Sequence, residues 1–254
     1  MIGEIDLGRA VADGFAAVVR NAMPAIGVVL LGIVVYLLSF CTCVGWIVGI
    51  PVLFVGLYRF LLAMVDGQAS VSDATRVVDD FGGTFTDGWG VALGFFVLYL
   101  PMLAVGVAIG VVNVVEPGTI GPIPQNVGTS LLGALYGFLA VRFVFTPWLV
   151  FEGRSSVIAA FGQSWRMTAR HWGKLCGLQL LALLIGAPAQ VTNLGAVVLM
   201  QDAQTDPARA IDALMNGMAL MSVGSVIAAI GAVFSIAFFA AAYRQLVGPA
   251  PVTG

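Results

Sequence analysis

Residues 90–115 read GVALGFFVLYLPMLAVGVAIGVVNVV, an unbroken apolar run without a single charged side chain. A helix needs about 20 mostly apolar residues to cross the hydrocarbon core of a bilayer, so this stretch alone is long enough. Five more stretches qualify: 22–40, 44–65, 130–151, 175–200 and 217–243. None carries an acidic residue in its interior, and none alternates polar with apolar as a barrel strand would. The sequence therefore predicts an all-α fold, a polytopic membrane bundle of six transmembrane helices.

The whole composition agrees. Of 254 residues 60% are hydrophobic and 9% are charged, against about 25% charged in a soluble domain. Mean hydropathy is +1.02 and the formal net charge is −2. A nucleic-acid binder would show a strong basic excess, and none exists. No linker separates a second domain, so 1–254 reads as one integral membrane domain.

The few charges set the orientation. Arg9, Arg20, Arg59, Arg76, Arg154, Arg166, Arg170, Lys174 and Arg244 fall on one side of the six-span path, Arg209 on the other, and Arg142 inside the fourth span. The positive-inside rule then puts both termini in the cytoplasm. The other side carries Glu116, Asp202, Asp206 and Asp212. Glu4, Asp6 and Asp13 precede the first apolar run, unlike the basic start of a signal peptide, so the first span is expected to persist.

Each pair of spans is preceded by a segment with helical apolar spacing. The stripes are Leu7, Val11, Phe15, Val18 and Ala22; then Val71, Ala74, Val78, Phe81 and Phe85; then Val157, Ile158, Phe161, Trp165, Thr168 and Trp172. Three cytoplasmic amphipathic helices are expected, the second broken at Gly82-Gly83 and the third capped by Ser155 or Ser156. The pairs contain Tyr58-Arg59, Val141-Arg142 and Tyr243-Arg244, and Asp66-Gly67 and Glu152-Gly153 follow the first two arginines. Two readings stand: a threefold hairpin repeat with units 1–65, 66–151 and 152–246, or chance likeness among apolar hairpins. Residues 116–129, rich in Pro and Gly, are expected to be irregular, and Asp206-Pro207 to start a short surface helix.

An arginine at the bilayer centre costs about 2.5–3.5 kcal/mol on insertion scales, and less where it reaches the boundary. Arg59, Arg142 and Arg244 are therefore either snorkelling and paired side chains or a ring that binds lipid phosphate or another anion. Arg166, Arg170 and Lys174, with Trp165 and Trp172 as interfacial anchors, form a basic surface helix suited to anionic lipid, although topology alone also accounts for its charge. Asp79 and Asp80 oppose it electrostatically. His171 is the single histidine, and neither a catalytic triad nor a metal set can be built around it. No catalytic residue, metal site or cofactor is expected. Cys41 and Cys43 sit at the turn between the first two spans, where small turn residues are a simpler reading than redox chemistry. Asn113, Gln179, Gln190 and Asn193 either line a solute path or bond between helices, and Pro51, Pro101, Pro147 and Pro188 kink their spans.

Arg142-Phe143, Thr146-Pro147, Glu152-Gly153-Arg154-Ser155, Ala159, Ser164-Trp165-Arg166-Met167-Thr168 and His171-Trp172 together resemble loosely related bacterial six-span families. These include the membrane domain attached to some glycerophosphoryl diester phosphodiesterases. Gly56-Leu57-Tyr58-Arg59 and Tyr243-Arg244 fit the same pattern, whereas the long loop before the fourth span departs from it. The resemblance implies the topology and a bacterial inner-membrane location. No phosphodiesterase domain is present, so it implies no activity. The function expected is non-enzymatic binding or organising of anionic lipid or of a membrane partner. The alternative is a small permease or lipid translocator. Membrane lipids, a membrane-protein partner or a second copy of the chain are the partners expected, and nucleic acid is not.

Overall fold

The computed structural model describes residues 4–40, 43–67, 69–75, 79–115, 122–205 and 210–248. Within those helices the side chains of 33, 35–40, 43–48, 50, 73, 109–110, 113–115, 122–127, 129, 201–205 and 210 lie outside the description. Every regular element among the described residues is helical: α1 (Leu7–Arg20), α2 (Ala22–Phe40), α3 (Cys43–Val65), α4 (Val71–Thr75), α5 (Phe81–Val115), α6 (Pro122–Ala140), α7 (Thr146–Phe151), α8 (Val157–Ala169), α9 (Trp172–Thr205) and α10 (Ala210–Val247). Four segments are long and apolar enough to cross a membrane, namely Phe81–Ala108, Ser130–Phe151, Trp172–Met200 and Ile211–Val247. Counting the bent pair α1–α2, whose axes turn by 79°, makes five. All six apolar stretches are helical, and α3 contributes the shorter apolar segment Pro51–Val65.

Several local expectations are corrected. The second amphipathic helix is only Val71–Thr75, and Val78 lies outside the described residues. Gly82-Gly83 does not break a helix. Asp80 caps a new one, accepting from the Gly83 N–H at 3.2 Å, and α5 runs on through both glycines. An acceptor three residues ahead of an orphan N–H outweighs the propensity cost of glycine in a first turn. Residues 122–129 are helical rather than irregular, because Pro122 and Pro124 fall in a first turn, where the missing N–H costs nothing. No separate short helix follows 202: residues 202–205 end α9 and 210–216 begin α10, while Asp206-Pro207 lies outside the described residues.

The chain forms two compact units. One comprises residues 1–97, 140–179 and 233–254, and the other 98–139 and 180–232. The core of the first unit gathers Ala17, Val18, Val28, Phe60, Leu61, Met64 and Ala237. Its packing faces are made of small residues. On α1 the buried positions are Ala10, Gly14, Ala17 and Val18, while Phe15 of the apolar stripe is 54% exposed. A Cβ on Gly14 would meet the Ala237 backbone at 3.0 Å, so α1 and α10 touch almost backbone to backbone. On α8 the buried positions are Ala160, Ser164, Met167 and Thr168, whereas Ile158 is 89% and Trp165 49% exposed. Val18 and Thr168 of the apolar stripes thus pack inward, while the bulky Phe15, Ile158 and Trp165 face outward. Hydrocarbon gives large side chains no drive to pack inward, and small residues let helices approach closely. In the second unit Gly217 and Gly224 of α10 meet Met200 and the Thr192–Asn193 pair of α9.

Candidate functional site

The site grows from a proline. Pro147 has no N–H, and its ring clashes with the carbonyl four residues back. The helix accordingly stops at Ala140, passes through a 3-10 turn at Val141–Phe143 and restarts at Thr146. The helix end expected near Pro147 is present, just upstream of it.

Such a break frees backbone groups that must find partners. Two hydroxyls of α8 supply them. Ser164 Oγ donates to the Arg142 carbonyl at 3.0 Å and accepts from the Phe145 N–H at 3.2 Å. Thr168 Oγ1 lies 3.1 Å from the same carbonyl. Both side chains are fully buried. Helix α8 is thereby fastened to the break, with Phe161 and Trp165 stacking around Phe143 at 5.7 and 5.5 Å.

This seat fixes the Arg142 side chain. Its guanidinium carbon lies 4.9 Å from the Trp165 ring centroid and 5.3 Å from that of Trp172, within cation–π range. Among the described residues no carboxylate lies within ion-pair distance of it. Arg166 and Arg170, also on α8 or at its end, are exposed, as are both indoles.

Arg244 also lies over a ring, that of Tyr243 at 5.8 Å, but unlike Arg142 it is paired with acids. Its Nε and Nη2 donate to the two carboxylate oxygens of Asp66 at 2.7 and 2.5 Å, and its Nη1 reaches Glu152 Oε1 at 2.7 Å. Its side chain is only 10% exposed. The other oxygen of Glu152 accepts from the Tyr243 hydroxyl at 2.7 Å and from Arg154 Nε at 2.8 Å. Phe145 and Trp148 pack beside Tyr243, and Tyr58 packs on Trp148. This is a network of two acids and two arginines whose formal charges cancel.

The remaining candidates divide in the same way. Lys174 Nζ donates to Glu4 Oε1 at 2.9 Å and to the Ile5 carbonyl at 2.6 Å. That contact holds the Glu4 carboxyl below its ordinary value, first through the hydrogen bond and then through the lysine charge. Arg59 is half-buried, close enough to Asp87 for their charges to interact. Arg59, Arg142 and Arg244 therefore have three different sets of partners. The structure brings Arg142 together with Trp165 and Trp172, and commits Arg244 and Lys174 to acids of the chain itself.

Sequence reasoning missed Asp66, Glu152 and Tyr243 as partners of Arg244, although each acid had been noticed one residue before a glycine. Nor did it give Ser164 a role, whereas Ser164 serves the backbone at the break. Of the intramembrane amides, Gln190 and Asn193 share one cavity and Gln179 is half-buried in the first unit. The side chain of Asn113 and residue Cys41, like the side chain of Cys43, lie outside the described residues. Cys176 is a free thiol.

Membrane-length apolar helices, bulky apolar side chains that face outward and small-residue packing define a helical multi-pass membrane protein. Within that class, the chain belongs to the family described as domain of unknown function (DUF7847), whose model matches residues 7–246. No curated protein and no solved structure matches it.

Proposed function

We propose that this protein is a non-enzymatic, six-span protein of a bacterial inner membrane, with both termini cytoplasmic, that engages anionic lipid headgroups through Arg142 and the outward face of α8. One observation carries the reading: an arginine held between two exposed indoles, with no carboxylate at ion-pair distance among the described residues, in a chain whose Arg244 is paired with two acids. A guanidinium fork suits a phosphate, and indoles favour the headgroup level of a bilayer. Arg166 and Arg170 add positive charge on the same helix, and Ile158 adds apolar surface for the acyl region. The helical character of all six apolar stretches supports six spans, and the sidedness of the basic residues supports the orientation.

The test uses the full chain in nanodiscs of phosphatidylcholine with added phosphatidylglycerol. Tryptophan quenching by brominated phosphatidylglycerol is compared with quenching by brominated phosphatidylcholine at equal mole fraction. The anionic lipid should quench more strongly, and Arg142→Gln should abolish the difference. Equal quenching by both lipids in the unaltered protein would overturn the proposal.

A further inference from the structure

The second unit contains a cavity of about 670 Å³, within the range of small-molecule sites. Its walls come from three helices: Ser130 and Leu131 of α6, Gln190 to Val197 of α9, and Met221 and Ser225 of α10. Among the described residues no charged side chain lines it. Gln190 and Asn193 stand three residues apart on α9, on one helix face. Among the described residues neither amide makes a hydrogen bond, in a segment whose surroundings are apolar on composition. An amide left dry in hydrocarbon is costly, so its donors and acceptor call for a partner from outside the chain. Ser225 gives its proton to the Met221 carbonyl at 2.9 Å, which leaves its oxygen to accept. The cavity thus offers two amide donors, two amide acceptors and a hydroxyl acceptor beside Leu131, Val191, Leu194 and Val197.

That set offers no cation to a phosphate or carboxylate, and an unpaired charge within an apolar span is costly. It suits a ligand with a hydrocarbon chain and an uncharged head that both donates and accepts, such as a hydroxyl beside an ester carbonyl. We infer that this cavity binds a neutral glycerolipid of the diacylglycerol class, its hydroxyl and ester groups on Gln190 and Asn193 and its chain along the leucine and valine wall. The inference does not depend on Arg142, because the two sites lie in different units and one selects an anionic headgroup, the other an uncharged one.

The probe is a diacylglycerol carrying a diazirine in one acyl chain, photolysed with the full protein in dodecyl maltoside micelles. Labelled peptides should cover 190–197 and 221–225. Unlabelled diacylglycerol should compete, while phosphatidylglycerol and phosphatidylcholine of the same chain length should not. Gln190→Leu with Asn193→Leu should lower labelling at these peptides about fivefold, the effect of losing a single neutral hydrogen bond. Phospholipids competing as well as diacylglycerol would overturn the inference, as would labelling spread evenly over the spans. If the double variant does not fold, the competition series on the unaltered protein decides alone.

Discussion

Arg244 grips Asp66 with a two-point fork at 2.7 and 2.5 Å, across 178 residues of chain. Glu152 closes the other side of the same guanidinium, so one side chain gathers the ends of α3, α7 and α10. Removing Arg244 leaves both carboxylates without this cation. Because Asp66 is exposed and the contact partly solvated, Arg244→Gln should lower stability by about 1–3 kcal/mol, below the range for a fully buried pair. Asp66→Asn added to it should cost less than the sum of the two single changes. Thermal unfolding in detergent reads both, and simple additivity would show that the contact carries no coupling.

Tyr243→Phe removes the hydroxyl that donates to Glu152 without changing the ring packing against Trp148. A hydrogen bond to a charged acceptor contributes about 1.5–3 kcal/mol. A loss of that size in the unfolding midpoint series is expected, with the Arg244 contacts preserved.

Ser164 and Thr168 complete the backbone broken ahead of Pro147. Ser164→Ala strands the Phe145 N–H, a cost of about 1–3 kcal/mol for a buried unsatisfied group. The same change should loosen the seat of Arg142 and weaken selectivity in the brominated-lipid assay. Retained selectivity would separate the headgroup site from the break.

Three glycines have left-handed backbone, Gly67 at φ 77°, Gly153 at φ 67° and Gly248 at φ 77°. They follow α3, α7 and α10, and nothing lies within 4 Å of a Cβ placed on any of them. Alanine there should cost about 1–2 kcal/mol from backbone conformation alone, and asparagine less. A chemical-denaturation series at Gly153 would distinguish the two residues, and an equal loss for both would contradict the assignment.

Glu4 titrates below its ordinary value in the folded chain because Lys174 binds its charged form. A lowered folded value means the contact stabilises above the unfolded carboxylate pKa and fades as pH falls through the folded one. The difference in unfolding temperature between the protein and Glu4→Gln should be present near neutrality and vanish in acid. A difference that persists unchanged at low pH would remove Lys174 as its cause.

The six helical stretches were legible because long apolar runs leave few alternatives. The packing faces were less so. The stripes of α1 and α8 were legible as apolar, but which of their members pack was not: Val18 and Thr168 are buried with Gly14 and Ala160, while Phe15, Ile158 and Trp165 are exposed. The arginine spacing suggested three equivalent endings, yet the glycine stops follow Arg59, Arg142 and Arg244 by eight, eleven and four residues. The shared feature of α3, α7 and α10 is the left-handed glycine, and the arginines stand at different depths before it. Ion pairing was hidden for a related reason. Local pattern assigns Asp66 to its neighbour Arg59, while the folded chain gives it to Arg244, and no sequence spacing encodes that.

The Asp6 N–H donates to Gln245 Oε1 at 2.7 Å, and Gln245 Nε2 returns a bond to the Asp6 carbonyl at 3.3 Å. Residues 7–65, 67–151 and 153–243 are thus three loops of chain that each leave and rejoin one cluster, in which Gln245 ties down Asp6 and its neighbour Arg244 ties down Asp66 and Glu152.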